Sequence, residues 1–275
     1  MATILVVANE TLAGAKLLET VKQKADATTR LILCVPRKNP KHGNVIYDDS
    51  VVDAAKVRID LARRFMREEG LDVIGEIGDP DPYTATLDAV AEHHPDEIIV
   101  STLPAQASGW LRRDLIERIE DATRLPVTHI EQDIDAVGIP FDVTLVLAAK
   151  TASGDELLKH LQQKAAGDKP ALFIVVVPQE GANASAAARA RARMAQVVDR
   201  LVASGLVAAG MIGDPDPYTA ALNANDLFRF DDIVISTLPA TRSGWLRADL
   251  VERVRKATGK PVVHVEAPEN TKAAA

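Results

Sequence analysis

Apolar residues in this chain form short unbroken blocks, separated by longer stretches in which they recur at helical spacing. Ile4–Ala8 is almost wholly apolar, as a strand buried on both faces must be. Leu12–Lys24 sets Leu17, Leu18 and Val21 along one stripe and predicts a helix. Leu31–Val35 is a second buried strand, Val51–Glu69 a second helix, and Leu71–Ile77 a third strand. A helix opening at Pro82 follows, then Ile98–Thr102, Leu115–Ala122 and Val127–Ile130 as strand, helix and strand. This alternation of strands and helices predicts a parallel sheet covered by helices on both faces.

The pattern then repeats. The octet GDPDPYTA stands at Gly78–Ala85 and again at Gly213–Ala220. Residues 78–131 align with 213–266 without a gap, and 32 of the 54 pairs are identical. A period this long is no solenoid repeat. It predicts two copies of one domain, residues 1–134 and 135–275, with the polar stretch Glu131–Pro140 as linker.

Each octet has a local reading. Gly78 is expected to use a positive φ at the strand end, and Asp79 and Asp81 precede prolines that hold them extended. Asp81 suits the N-cap and Pro82 the first helical position. A Mg²⁺ site on Asp79 and Asp81 is the weaker reading.

Composition bounds the class. With 275 residues, 47% hydrophobic and 26% charged, the chain is ordinary globular material. The single cysteine, Cys34, excludes an internal disulfide and points to a reducing cytoplasm. The first apolar block is too short for a signal segment, and no run reaches the length of a membrane span. The net charge of −7 is uneven: 16 Lys+Arg against 24 Asp+Glu give −8 in residues 1–135, and 16 against 15 give +1 in the remainder. Neither half has the basic surplus that nucleic-acid binding needs, and Arg189, Arg191 and Arg193 read as a solvated helix face.

With the turns Gly78-Asp79-Pro80 and Gly213-Asp214-Pro215 in place, together with Ser101…Ser108-Gly109…Arg112-Arg113 after the fourth strand, the chain resembles the universal stress protein family. The resemblance is to a tandem arrangement and covers nearly the whole chain. It implies two Rossmann-like domains of the adenine-nucleotide-hydrolase type, each a five-stranded parallel sheet. It also implies pairing through the last strand, as an intramolecular pseudo-dimer or a homodimer. ATP-binding members carry G-x-x-G and a later G-[ST] in this loop. Here Ser101 and Pro104, and Ser236 and Pro239, replace the first two glycines, and the final G-[ST] is missing. Proline donates no N–H to a phosphate. Asp114 with Glu117, and Asp249 with Glu252, predict capping boxes that place a carboxylate where an anion would bind. The first-strand Asp of the family is Asn9 in one copy and Ala149 in the other.

The candidate ligand-binding residues are Asn9, Gly78, Asp79, Ser101, Thr102, Ser108, Gly109 and Arg112, then Gly213, Asp214, Ser236, Thr237, Ser243, Gly244 and Arg247. Trp110 and Trp245 either contribute a ring to this loop or anchor it on the core. His129 and His264 read as structural, His93-His94 as no metal pair, and Cys34 as a small core residue. Because Asn9 opposes Ala149, a ligand is expected in the first copy, and the longer loop around His42–Asp49 points the same way. The chain has no nucleophile-elbow motif and no general base beside an activated nucleophile, so no enzymatic activity is expected. Two functions remain. One is a stress-response protein that binds ATP, another adenine nucleotide or a related anion weakly and without turnover. The other is an interaction module whose ATP site has decayed.

Overall fold

The computed structural model describes residues 2–37, 48–68, 70–104, 110, 114–149, 154–239 and 249–268. The chain divides into two compact units, Met1–Pro140 and Phe141–Ala275. In the first, strands β1 (Thr3–Val7), β2 (Arg30–Pro36), β3 (Val73–Gly78), β4 (Glu97–Thr102) and β5 (Val127–Glu131) alternate with helices α1 (Ala15–Lys24), α2 (Asp48–Glu68), α3 (Pro82–His93) and α4 (Leu115–Thr123). A short α5 (Ile134–Val137) follows. The second unit runs β6 (Asp142–Ala148), α6 (Asp155–Ala165), β7 (Ala171–Pro178), α7 (Ala184–Ala203), β8 (Val207–Gly213), α8 (Pro217–Leu227), β9 (Asp232–Thr237), α9 (Leu250–Thr258) and β10 (Val262–Glu266).

Both sheets are parallel and five-stranded, in the orders β3-β2-β1-β4-β5 and β8-β7-β6-β9-β10. The central strands are apolar because both of their faces are covered. Leu5, Val7, Ile32, Ile98 and Val100 pack with Ala85 and Ala89 of α3 and Leu115 and Ile119 of α4. In the second unit Phe173, Val175 and Val177 pack with Leu157 and Leu161 of α6 and Val197 and Leu201 of α7.

Several expected features differ. Arg193, read with Arg189 and Arg191 as a solvated face, is buried on α7 with Nη1 3.5 Å from Glu180 Oε1. Gly78 does not take the positive φ expected of it. The helix after β1 begins at Ala15 rather than Leu12, because Asn9–Gly14 turns on itself through the Leu12 N–H to Asn9 C=O and Gly14 N–H to Thr11 C=O bonds. The stretch read as a linker is structured. Glu131 ends β5, Gln132 is buried, and Asp133 caps α5 by accepting from the Asp135 and Ala136 amides. No helix among the described residues is long and apolar enough to cross a membrane.

Candidate functional site

In each sheet the strand order reverses at the central strand, between β1 and β4 and between β6 and β9, and open parallel sheets take ligands at the carboxyl ends there. At this switch-point crevice the first unit sets Thr11, Gly14 and Ser101 around the buried Gln132 side chain, with Asn9 just past the end of β1. The Gln132 amide Nε2 donates to the Thr11 carbonyl at 2.8 Å and to Ser101 Oγ at 3.0 Å. Thr11 Oγ1 in turn donates to the Ser101 carbonyl at 3.0 Å. A Cβ on Gly14 would overlap the Gln132 side chain, so only glycine admits the amide there. Asn9 Nδ2 donates to the Pro36 carbonyl at 2.8 Å, while Asn9 Oδ1 is buried without a hydrogen-bond partner among the described residues. An acceptor left in that state costs about 1–3 kcal/mol.

The second unit builds the same crevice differently. The Ala267 amide takes the backbone place of Gln132, donating to the Thr237 carbonyl at 2.9 Å as Gln132 does to Thr102 at 3.0 Å. Its side chain is a single methyl. Ser236 and Thr237 are buried as Ser101 and Thr102 are. The helix behind the crevice opens with Asp155 and Glu156, whereas α1 has no acid in its first turn. Those carboxylates already meet the positive end of the α6 dipole.

The other candidates have local duties. Gly78 and Asp79 sit at the end of an edge strand, two strands from β1. Asp79 accepts from the Asp81 amide at 2.8 Å, and Asp81 caps α3 through the Thr84 amide at 3.2 Å and hydroxyl at 2.9 Å. Asp214 and Asp216 repeat this at 2.8, 3.0 and 2.8 Å. A Cβ on Gly78 would meet Ala85 Cβ at 2.6 Å, and one on Gly213 would meet Ala220 Cβ at 2.8 Å. The octet is thus accounted for as a turn and a cap, with Tyr83 and Tyr218 under the guanidinium groups of Arg118 and Arg253.

Thr102 Oγ1 lies 2.9 Å from His129 Nε2, and Thr237 Oγ1 lies 2.8 Å from His264 Nε2. Thr237 also donates to the Leu238 carbonyl, so His264 Nε2 supplies the proton of that second bond. Trp110 packs on the core of the first unit, as Tyr83 and Ile116 do. Ser108, Gly109, Arg112, Ser243, Gly244 and Arg247 lie outside the described residues, as do Trp245 and the loop from His42 to Tyr47.

The expected capping boxes do not form. Asp114 (φ 48°) and Asp249 (φ 48°) adopt left-handed backbone and make no side-chain bond to a helix amide, because a capping side chain needs an extended residue beneath it.

One polar cluster lies away from the crevice and had no motif to announce it. His93 Nε2 is 2.7 Å from Glu76 Oε2, and Glu92 joins them. The signal was in the repeat: Glu76, Glu92 and His93 align with Met211, Leu227 and Phe228. Cys34, opposite Glu76 across β2 and β3, is buried. Burial first, and Glu76 second, push its thiol far above the ordinary range.

No protein-family model matches the chain, and no curated protein matches it. Among solved structures, it is similar to a universal stress protein from Archaeoglobus fulgidus DSM 4304 at 14% identity, covering 98% of this chain and 97% of that one with a TM-score of 0.35. The cytoplasmic domain of a prokaryotic cation chloride cotransporter is similar at 10% identity, covering 99% and 97%, with a TM-score of 0.33. A glycosyltransferase from Rickettsia africae ESF-5 is similar at 10% identity, covering 97% and 80%, with a TM-score of 0.25.

Proposed function

We propose that the chain is a tandem universal-stress-type protein of the stress response, binding an adenine nucleotide or related anion weakly, at the first unit, without turnover. The observation that carries this reading is Gln132. A ligand entering the β1–β4 crevice must displace a side chain that makes two hydrogen bonds, to the Thr11 carbonyl and Ser101 Oγ. Displacement leaves those groups to be satisfied by the ligand, which subtracts from affinity. Asn9 supports the choice of unit, because its buried Oδ1 is an acceptor still open to a ligand N–H. Binding without turnover is supported by the described side chains around Gln132, which are Asn9, Thr11 and Ser101, none of them an acid or an imidazole.

Calorimetric titration of the full chain with Mg-ATP tests this. Wild-type protein should bind no tighter than about 100 μM, and Gln132→Ala should tighten binding roughly tenfold, about 1.4 kcal/mol. Phosphate release should match a heat-inactivated control. A micromolar wild-type site, or hydrolysis, overturns the reading. One observation favours the alternative of an interaction module with a decayed site: Asp155 and Glu156 place negative charge at the N-terminus of α6. Absence of binding at millimolar nucleotide by both wild type and Gln132→Ala would move the assignment there.

A further inference from the structure

The cluster on β3 and α3 has the composition of a ligand set rather than of a packing contact. Glu76 projects from mid-strand, and Glu92 and His93 occupy the last turn of α3. One carboxylate oxygen from each glutamate and one ring nitrogen of the histidine lie within 4.8 Å of one another. Burial is graded: the side chains of His93 and Glu76 are 9% and 23% exposed, and Glu92 is open to solvent.

A histidine–glutamate pair explains two of these residues but not the third. Two carboxylates so close together repel unless positive charge lies between them, and one imidazolium shared by both is a poor match for their combined charge. The second unit shows that the fold does not need the polar set. Where the first unit has Cys34, Glu76, Glu92 and His93, the second has Val176 and Met211 on the corresponding strands, Leu227 at the end of α8 and Phe228 as its C-cap. Met211 and Phe228 are buried, so apolar atoms do the packing there. A half-buried polar pair whose counterparts in the other unit are apolar is not something the fold requires.

We propose that Glu76, Glu92 and His93 form a binding site for a divalent cation of the zinc class. One imidazole nitrogen with two carboxylate oxygens suits zinc and its first-row neighbours, whereas calcium and magnesium take oxygen alone. Bond lengths of about 2.0–2.2 Å put tetrahedral ligand atoms roughly 3.3 Å apart. The 2.7 Å His93–Glu76 hydrogen bond must therefore open by about half an ångström, within reach of side-chain rotation, and the proton between them leaves as the cation enters. Glu92, exposed, gives the path in, and water completes the coordination. The carbonyl end of α3 adds favourable potential for a cation. Cys34 lies opposite Glu76 across β2 and β3 and is not one of the three converging groups.

The test is titration of chelator-stripped full-length protein with zinc chloride, followed by calorimetry and by melting temperature. Wild-type protein should bind one equivalent at about 10 μM or tighter, and saturating zinc should raise its melting temperature. Glu92→Gln, an exposed change that leaves packing alone, should weaken that equivalent at least about tenfold. The triple variant Glu76→Met/Glu92→Leu/His93→Phe, which installs the second unit's residues, should melt cooperatively and lose both the equivalent and the zinc-induced shift. Absence of a wild-type site tighter than about 100 μM overturns the proposal. So does zinc binding that Glu92→Gln leaves unchanged, because the metal is then held elsewhere. The outcome is independent of the nucleotide titration, since Gln132 plays no part in it.

Discussion

The two units keep one frame and fill it with different chemistry. Where their sequences align, 32 of 54 residues are identical, and strand order, helix order and the octet turn coincide. Beyond and within that stretch, two places differ in polarity at equivalent positions of the frame. On the face shared by the third strand and third helix, Cys34, Glu76 and His93 become Val176, Met211 and Phe228. In the switch-point crevice, Gln132 becomes Ala267. At both places the position stays covered while its polarity changes. Burial is therefore a property of the frame, and the polar groups of the first unit are additions to it. A contact that is essential to the fold should not tolerate such exchange, and one that serves a ligand should.

Transplanting the polar set gives the largest expected effect. Met211 is 4% exposed. Met211→Glu places a buried carboxylate where the residue aligned with His93 is Phe228, and an unpaired buried charge costs about 3–5 kcal/mol. Adding Phe228→His supplies the partner that His93 is to Glu76 and should recover most of the loss. Urea denaturation of the full chain measures both. If Met211→Glu costs under about 1 kcal/mol, the two faces are not equivalent and the comparison breaks.

A smaller loss follows from the close approach at the octet turns. The Cβ of Gly78→Ala would lie 2.6 Å from Ala85 Cβ and 2.8 Å from Cys34 Sγ, where no flexible side-chain end can yield. Strand and helix must separate, a cost of about 1–3 kcal/mol. Gly213→Ala meets Ala220 Cβ and Val176 Cγ1 at 2.8 Å each, so it should cost somewhat less. Equal stability of both variants with wild type in thermal melts would contradict the packing argument.

The strands were legible because a sheet covered on both faces needs blocks such as Leu31–Val35 with no polar interruption, and few other structures do. The octet's turn and cap were legible because they act within a few positions, Asp79 on Asp81 and Asp81 on Thr84. Gln132 was not legible. It sits among Glu131, Asp133 and Asp135 and reads as linker, and its burial depends on Thr11, 121 residues away. The Glu76–His93 pair is non-local in the same way, as its members belong to a strand and a helix that meet only in the fold. Asp114 misled for the opposite reason. Its Asp-x-x-Glu spacing is a local signal, and the left-handed backbone at φ 48° overrides it.

The caps come next in size and should be equal in the two units. Asp81→Ala and Asp216→Ala each remove a carboxylate that accepts from a threonine amide and hydroxyl, at about 1 kcal/mol apiece. Asp216 also has an acid signature. Partial burial raises its pKa, but the bonds from Thr219 and Tyr218 and the charge of Arg253 outweigh that and hold it below the ordinary carboxylate value. A group with its pKa depressed by folding stabilises above its unfolded value of about 3.9 and loses that contribution as pH falls through the folded value. The gap between wild type and Asp216→Ala should therefore shrink below about pH 4. A gap that widens in acid reverses the sign and refutes the assignment.

The smallest effect is the stacking of α4 on α3 and of α9 on α8. The Arg118 guanidinium lies 3.9 Å from the Tyr83 ring centre, and Arg253 lies 4.1 Å from Tyr218. A cation over an aromatic face at partial exposure contributes about 0.5–1 kcal/mol. Single substitutions mix this with lost packing, since the arginine stem and the ring both cover apolar surface. A double-mutant cycle isolates it: Tyr83→Leu, Arg118→Met and the pair, then Tyr218→Leu, Arg253→Met and the pair. The first cycle should give a coupling of about 0.5–1 kcal/mol that changes little with salt, because the ring carries no net charge to screen. In the second, Arg253 also acts on Asp216, so the Arg253→Met arm should carry a part that salt weakens and acid removes. Two cycles with identical salt dependence would mean that Arg253 serves only the ring and that the two helix pairs are held together in the same way.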